Sequence, residues 1–215
     1  MKQKQFYTIE SLLAENRQIY QIPDDRLYSV DDLVYNHQKF ISQYQEGLKN
    51  KPADELDLDV SVAWFLALIN RFHIDLEKLA WQRYSYKCPF CLEIPCICSG
   101  DKLKSQKTGR PASQKPKTLD QWQEMVDKIY PNETPEILNN FYQNLNQLNY
   151  LLRHFLRERK KTHFYAIEKV CADHFVLILR IYNSIPANLS HNFRKMFKNG
   201  CYVCHKVPCE CNYYQ

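Results

Sequence analysis

An all-α tandem repeat is the fold class that this sequence predicts, and three observations predict it. Only 4 glycines occur in 215 residues and alternating β-type runs are few, so the apolar residues read at helical spacing. Four cysteines spaced Cys-x2-Cys-x4-Cys-x-Cys stand at Cys88, Cys91, Cys96 and Cys98, and the spacing recurs at Cys201, Cys204, Cys209 and Cys211. The landmarks of the first half return in the second at a nearly constant offset, the signature of a duplication.

Thr8 caps a first helix that runs to about Tyr20, and Pro23 with Asp24 and Asp25 marks the loop after it. Ser29 with Asp32 three residues on forms a capping box and opens a helix to about Lys49, with Leu33, Val34, Phe40, Ile41, Tyr44 and Leu48 on one face. Pro52 suits a helix start. The helix from about Ala53 to Phe72 is apolar nearly all round through Val60 to Ile69, so it is expected at the centre of a bundle. A short helix from Asp75 to about Tyr84 leads into the first cysteine cluster.

The second half repeats this order. Thr118 caps a helix ending in Ile129-Tyr130, as Thr8 caps one ending in Ile19-Tyr20, both 110 residues earlier. Thr134 and Pro135 open a long helix to about Lys160, with Ile137, Leu138, Phe141, Leu145, Leu148, Leu152, Phe155 and Leu156 on one face. A helix from about His163 to Asn183 carries Ile167, Val170, Cys171, His174, Phe175, Ile178 and Ile181. After Pro186 a short helix with Leu189, Phe193 and Phe197 reaches the second cluster. The expected domains are therefore 1–98 and 119–215, each a helical bundle ending in a knuckle, joined by a basic flexible linker, 99–118.

Each cysteine set fits one tetrahedral ion. Four thiolates close the coordination shell and leave no position for water, so the expectation is two structural zinc ions, one per knuckle. The match extends beyond the thiols, since CPFCLEIPCIC and CYVCHKVPCEC both set a proline, Pro95 or Pro208, before the third cysteine. Paired Cys-x2-Cys motifs read as metal sites in a reducing compartment. Met1 to Tyr20 is polar and charged without an apolar core, and no run of about 18 apolar residues exists, so the expectation is a cytoplasmic protein with no membrane contact.

The formal charge of +5 is concentrated in one place. Lys102, Lys104, Lys107, Arg110, Lys115 and Lys117, against Asp101, give the linker that whole excess. The rest of the chain balances. A solvated tether is the first reading of this segment, and a weak salt-sensitive contact of residues 102–117 with nucleic acid the second. The knuckles add no basic surround: Cys88 to Cys98 holds only Glu93, and Lys206 is balanced by Glu210. Cys171 reads as a small core residue, His37, His154 and His174 as core or surface histidines, and His205 as solvated. Trp64, Trp81 and Trp122 read as core. Neither a Gly-rich phosphate loop nor a serine nucleophile elbow is present.

The run DLDVSVAWFLALINRFHIDLEKLAWQRY, Asp57 to Tyr84, followed by CPFCLEIPCIC, resembles the C-terminal half of the MazG-like all-α nucleoside triphosphate pyrophosphohydrolases, some of which end in a similar knuckle. The second copy is parallel, with Ala172-Asp173 on a buried helix and FKNGCYVCHKVPCEC after it. The resemblance implies a helical fold that assembles from several subunits, and a site of Glu-x2-Glu on one helix and Glu-x2-Asp on the next that holds Mg²⁺ against a triphosphate. This sequence lacks most of those acids. The helix beginning at Val30 has none through Tyr35 to Ser42; Asp57 stands where the family has Glu, but Val60 replaces its Asp; in the second copy Asp173 fits and Val170 does not.

Mg²⁺ binding is accordingly not expected, and no catalytic residue is assigned beyond the residual acids Asp54, Asp57, Glu168 and Asp173. Asp54 and Asp57 also suit a helix N-terminus by charge alone. The expectation is a degenerate, pseudoenzyme form of the repeat that serves as a scaffold, a regulatory subunit or a nucleotide sensor, partnered by another protein or by itself. The alternatives are a divergent metal-dependent nucleotide pyrophosphohydrolase using the four residual acids, and a nucleic-acid-binding module using the basic linker.

Overall fold

The computed structural model of the chain describes residues 7–50, 54–98, 108–134, 136–185 and 187–211. These residues form eight α-helices and one 3₁₀ turn at Ala112–Gln114, without a strand among them. The helices are α1 (Ile9–Leu27), α2 (Val30–Asn50), α3 (Glu55–Arg71), α4 (Leu76–Tyr84), α5 (Leu119–Ile129), α6 (Ile137–Glu158), α7 (Lys161–Asn183) and α8 (Leu189–Met196). None is long and apolar enough to cross a membrane. Pro52, Pro135 and Pro186, read as helix-start and loop signals, lie outside the described residues.

Local capping chemistry sets most boundaries. The Ser29 N–H donates to the Asp32 carboxylate at 2.8 Å while the Asp32 N–H donates to the Ser29 hydroxyl at 3.2 Å, the reciprocal box expected for α2. Asp54, Asp75 and Thr118 accept from N–H groups in the first turns of α3, α4 and α5.

At α1 the expected boundary fails. The helix does not stop at Tyr20 but runs through Pro23 to Leu27. A proline inside a helix offers no N–H to the carbonyl four residues back, which here is that of Ile19. The Ile19 carbonyl instead accepts the N–H of Cys209 at 2.7 Å. The acceptor that a helical proline orphans is satisfied by a residue far away in the chain, and the helix continues.

The chain forms two compact units, and their composition corrects the expected domains. One consists of Glu10–Ile74 and Ser190–Gln215, the other of Met1–Ile9 and Asp75–Leu189. Segments 1–98 and 119–215 are therefore not the compact bodies. Each unit takes its three long helices from one repeat and its short helix and knuckle from the other.

In the α1–α3 unit, α2 and α3 pack as an antiparallel pair with α3 buried on nearly every side from Leu58 to Asn70; Trp64 alone in that run is half-buried, less than expected. Leu33, Val34, Ile41 and Tyr44 of α2 face it, whereas Phe40 is half-buried and Leu48 exposed. Each large apolar side chain so buried contributes about 1.5–3 kcal/mol. Polar groups inside are matched: the Asn70 amide donates to Asn16 at 3.1 Å, the Asn16 amide to the Ala63 carbonyl at 3.2 Å, and His37 meets both the carbonyl and the hydroxyl of Ser61. Phe193 and Phe197, in and just after α8, fill the same core, with Phe197 against Tyr20 at 5.9 Å between ring centroids.

The α5–α7 unit is built the same way around α7, whose Ile167, Val170, Cys171, Phe175, Ile178 and Ile181 are buried as expected. Trp122 of α5 is enclosed between Phe175 and Trp81 of α4, both at 6.4 Å. His174 takes the place that Ser61 has in the other unit and bonds Asn144 of α6 at 2.7 Å.

Candidate metal centres

In each knuckle the four sulfurs lie within 4.8 Å of one another. Cys88 and Cys98 are 3.6 Å apart and Cys91 and Cys96 3.9 Å; Cys201 and Cys211 are 3.7 Å apart and Cys204 and Cys209 3.9 Å. A disulfide would require about 2.05 Å. Four sulfurs held about 2.3 Å from a central ion at tetrahedral angles would be about 3.8 Å apart, so the donor set fits a four-coordinate metal.

The loops that hold the sulfurs are near copies. Cys88 N–H bonds the Glu93 carbonyl and Leu92 N–H the Cys88 carbonyl; Cys201 N–H bonds Lys206 and His205 N–H bonds Cys201. Leu92 and His205 both adopt positive φ, +62° and +56°. The bonds preceding Pro95 and Pro208 are both cis. His205 is exposed and adds no fifth ligand.

Burial raises the thiols of Cys91 and Cys204, but N–H groups aimed at the sulfurs outweigh it. Those of Ile97 and Glu93 bring Cys91 down to about 7, and those of Glu210 and Lys206 bring Cys204 to about 6. Cys98 and Cys209 are pushed up, first by burial and then by neighbouring cysteines. Four thiolates can share so small a space only with a cation among them.

Each knuckle is seated on helices of the other repeat. The Cys96 N–H donates to the Ile129 carbonyl at 2.7 Å, as the Cys209 N–H does to Ile19. The Tyr130 hydroxyl donates to the Cys88 sulfur at 3.5 Å, and the Arg180 guanidinium lies 4.0 Å over the Tyr130 ring. Tyr20, the counterpart of Tyr130, is set beside Cys201 with its hydroxyl buried. Neither tyrosine was singled out as a site residue from sequence, although the repeated Ile-Tyr pair was the available signal.

The four residual acids are divided between the two units. Asp54 and Asp57 belong to the α1–α3 unit, Glu168 and Asp173 to the α5–α7 unit. Asp54 caps α3. Asp173 is engaged by Arg83, which donates to both carboxylate oxygens at 2.8 and 2.7 Å, and by the Tyr84 hydroxyl at 2.7 Å. Burial pushes the Asp173 carboxyl up, and these partners act against it. Among the described residues, the cysteine sets are the groups of three or more His, Cys, Asp or Glu that could hold a metal.

A cavity of about 660 Å³ in the α1–α3 unit is lined by Glu55 and Asp59 of α3, Asn192 and Lys195 of α8, and Tyr202 and His205 of the second knuckle. Asn192 bridges Glu55 at 3.0 Å and Asp59 at 3.2 Å.

Of the basic segment, residues 99–107, with Lys102, Lys104 and Lys107, lie outside the described residues. The remainder is fixed along α4 and the residues just after it, which corrects the expected free tether over that stretch. The Thr108 N–H bonds the Gln82 carbonyl, the Thr108 hydroxyl pairs with Ser85, Arg110 lies 5.2 Å over the Tyr86 ring, and Lys115 pairs with Glu77 at 2.5 Å. Comparison of the chain with protein-family models, with curated proteins and with solved structures finds no match.

Proposed function

We propose that this chain is a degenerate MazG-like tandem repeat, stabilised by two zinc ions, that serves as a scaffold or regulatory subunit rather than a hydrolase. The observation that carries the reading is the state of Asp173, the acid that best matches the family pattern. Its oxygens are occupied by Arg83 and Tyr84. A carboxylate already neutralised by a guanidinium is a poor ligand for Mg²⁺, a hard ion that needs several free oxygens. The donor set supports zinc: four sulfurs at tetrahedral spacing suit an ion without redox chemistry or a need for an open position.

The cavity against the second knuckle supports a sensing role within the same reading. Its volume is in the range of small-molecule sites, with Tyr202 offering a ring and Lys195 a cation. The partner expected for a scaffold is another protein or a second copy of this chain.

Elemental analysis together with native mass measurement tests the reading. Two zinc ions per chain and no turnover of a panel of nucleoside triphosphates with Mg²⁺ or Mn²⁺ are expected. Hydrolysis that disappears in Asp57→Asn or Asp173→Asn would overturn it.

A further inference from the structure

We propose that each loaded knuckle is the clamp of the opposite repeat, so that the two repeats are obligate partners. The partner that each three-helix surface fits is then a short helix followed by a metal-filled four-thiol knuckle. This inference rests on the zinc reading and goes beyond it, because a structural ion could equally have closed the bundle of its own repeat.

The seating contact occurs twice, with different local causes. The Ile129 carbonyl is free because α5 ends there, and the Ile19 carbonyl is free because Pro23 withholds the next N–H. Both accept at 2.7 Å from the third cysteine of the knuckle from the other repeat. That donor belongs to a residue whose sulfur helps to define the tetrahedron. Its backbone position, and with it the hydrogen bond, therefore depends on the ion.

The second layer of contact is apolar and also crossed. Trp81 of α4 covers Trp122 of α5, and Phe197, just beyond α8, covers Tyr20 of α1. Removing the short helices would uncover Trp122 and Phe175 in one unit and α1 and α3 side chains in the other, a patch that a stable monomer does not leave bare. The short helices contribute Leu76, Ala80, Leu189 and Phe193 as buried residues. Too short to persist alone, they are held at one end by the knuckle that follows.

Hydrogen exchange on the full chain decides the matter, with zinc counted in the same samples. In Cys88→Ser/Cys91→Ser, amides of α5 and α7 are expected to exchange roughly tenfold faster or more while those of α1–α3 stay protected. Cys201→Ser/Cys204→Ser should give the reverse pattern. Should either variant fail to fold, graded chelation of the wild-type chain gives the same readout, with exchange rising in the helices opposite whichever knuckle empties first. Loss of protection in the three long helices of the same repeat as the altered knuckle, or in neither set of long helices, would overturn the crossed clamp. A wild-type chain without zinc would instead overturn the metal reading.

A second measurement uses a protease site placed within residues 99–107 of the full chain and cut after folding. The two fragments are expected to stay together as a one-to-one complex with two zinc ions and to separate on chelation. Fragments that part while each still holds zinc would refute the proposal.

Discussion

The two units hold equivalent short helices by different chemistry. In the α5–α7 unit, Arg83 and Tyr84 of α4 grip Asp173 of α7. The positions 113 residues away in the α1–α3 unit are Met196, Phe197 and Val60, all buried and apolar. The knuckle seating is the same in both, down to an N–H···O distance of 2.7 Å. Core chemistry at the short helix is thus interchangeable, while the backbone contact from the third cysteine is not. The polar version carries a burden: an ion pair largely withdrawn from water stabilises little by itself, yet removing one partner leaves a half-buried charge unpaired.

Metal removal should break the comparison most severely, since both units lose their seating contact. Structural zinc sites release about 10–16 kcal/mol on binding, more than the stability of an ordinary domain. Excess chelator is expected to abolish the cooperative thermal transition followed by circular dichroism, with recovery on adding zinc.

A smaller effect separates the two chemistries. Arg83→Met alone should destabilise the α5–α7 unit by about 3 kcal/mol, because Asp173 is left charged and enclosed. Arg83→Met with Tyr84→Phe and Asp173→Val copies the apolar set of the other unit. Denaturant unfolding of this triple variant is expected to fall within about 1 kcal/mol of wild type. If the triple variant were as unstable as the single one, the two arrangements would not be interchangeable.

Which parts of this were legible in the sequence follows from the range of the interactions. The box at Ser29 and Asp32 and the caps at Asp75 and Thr118 join residues three apart, so local pattern reveals them. The knuckles are equally local. The exchange of knuckles was not legible, because a knuckle that closes its own bundle and one that closes its neighbour have the same local sequence. Pro23 was misread for a related reason: the donor that rescues Ile19 is Cys209, at the other end of the chain. Asp173 read as a residual metal ligand because its true partner, Arg83, stands 90 positions away.

The knuckles themselves differ at the residue before the first cysteine. Gly200 has φ of +89°, and a Cβ there would meet the Val207 side chain at 2.7 Å and the Lys206 carbonyl oxygen at 2.8 Å. The matching position in the first knuckle is Lys87, which already carries a side chain. Gly200→Ala is expected to cost about 2 kcal/mol, through positive-φ strain and the clash, and to weaken zinc retention at the second knuckle only. Lys87→Ala should change stability by no more than about 0.5 kcal/mol. Zinc release to a colorimetric chelator, run on both variants, checks the difference.

Acid titration gives the smallest net effect on the unaltered chain and applies to the α1–α3 unit, where two buried groups are shifted in opposite senses. Burial lowers His37 to about 4, with the Ser61 carbonyl opposing. A histidine depressed from about 6.5 leaves the native state with fewer protons than the unfolded chain between those values, so stability falls as pH drops through that window. Burial raises Asp24 to about 7, with Arg71 opposing and Asp25 reinforcing. A carboxyl raised from about 3.8 makes the native state the better proton binder between about 4 and 7, so stability falls as pH rises. Each contribution is on the order of 2–3 kcal/mol, and from pH 4 to 6.5 they cancel in large part. Asp24→Asn should expose the histidine slope, with stability rising toward neutral pH, and His37→Asn, which installs the residue found at Asn144, should expose the opposite slope. Denaturant midpoints across pH 4–7 for the three proteins test this, and parallel profiles would show that neither group titrates in that window.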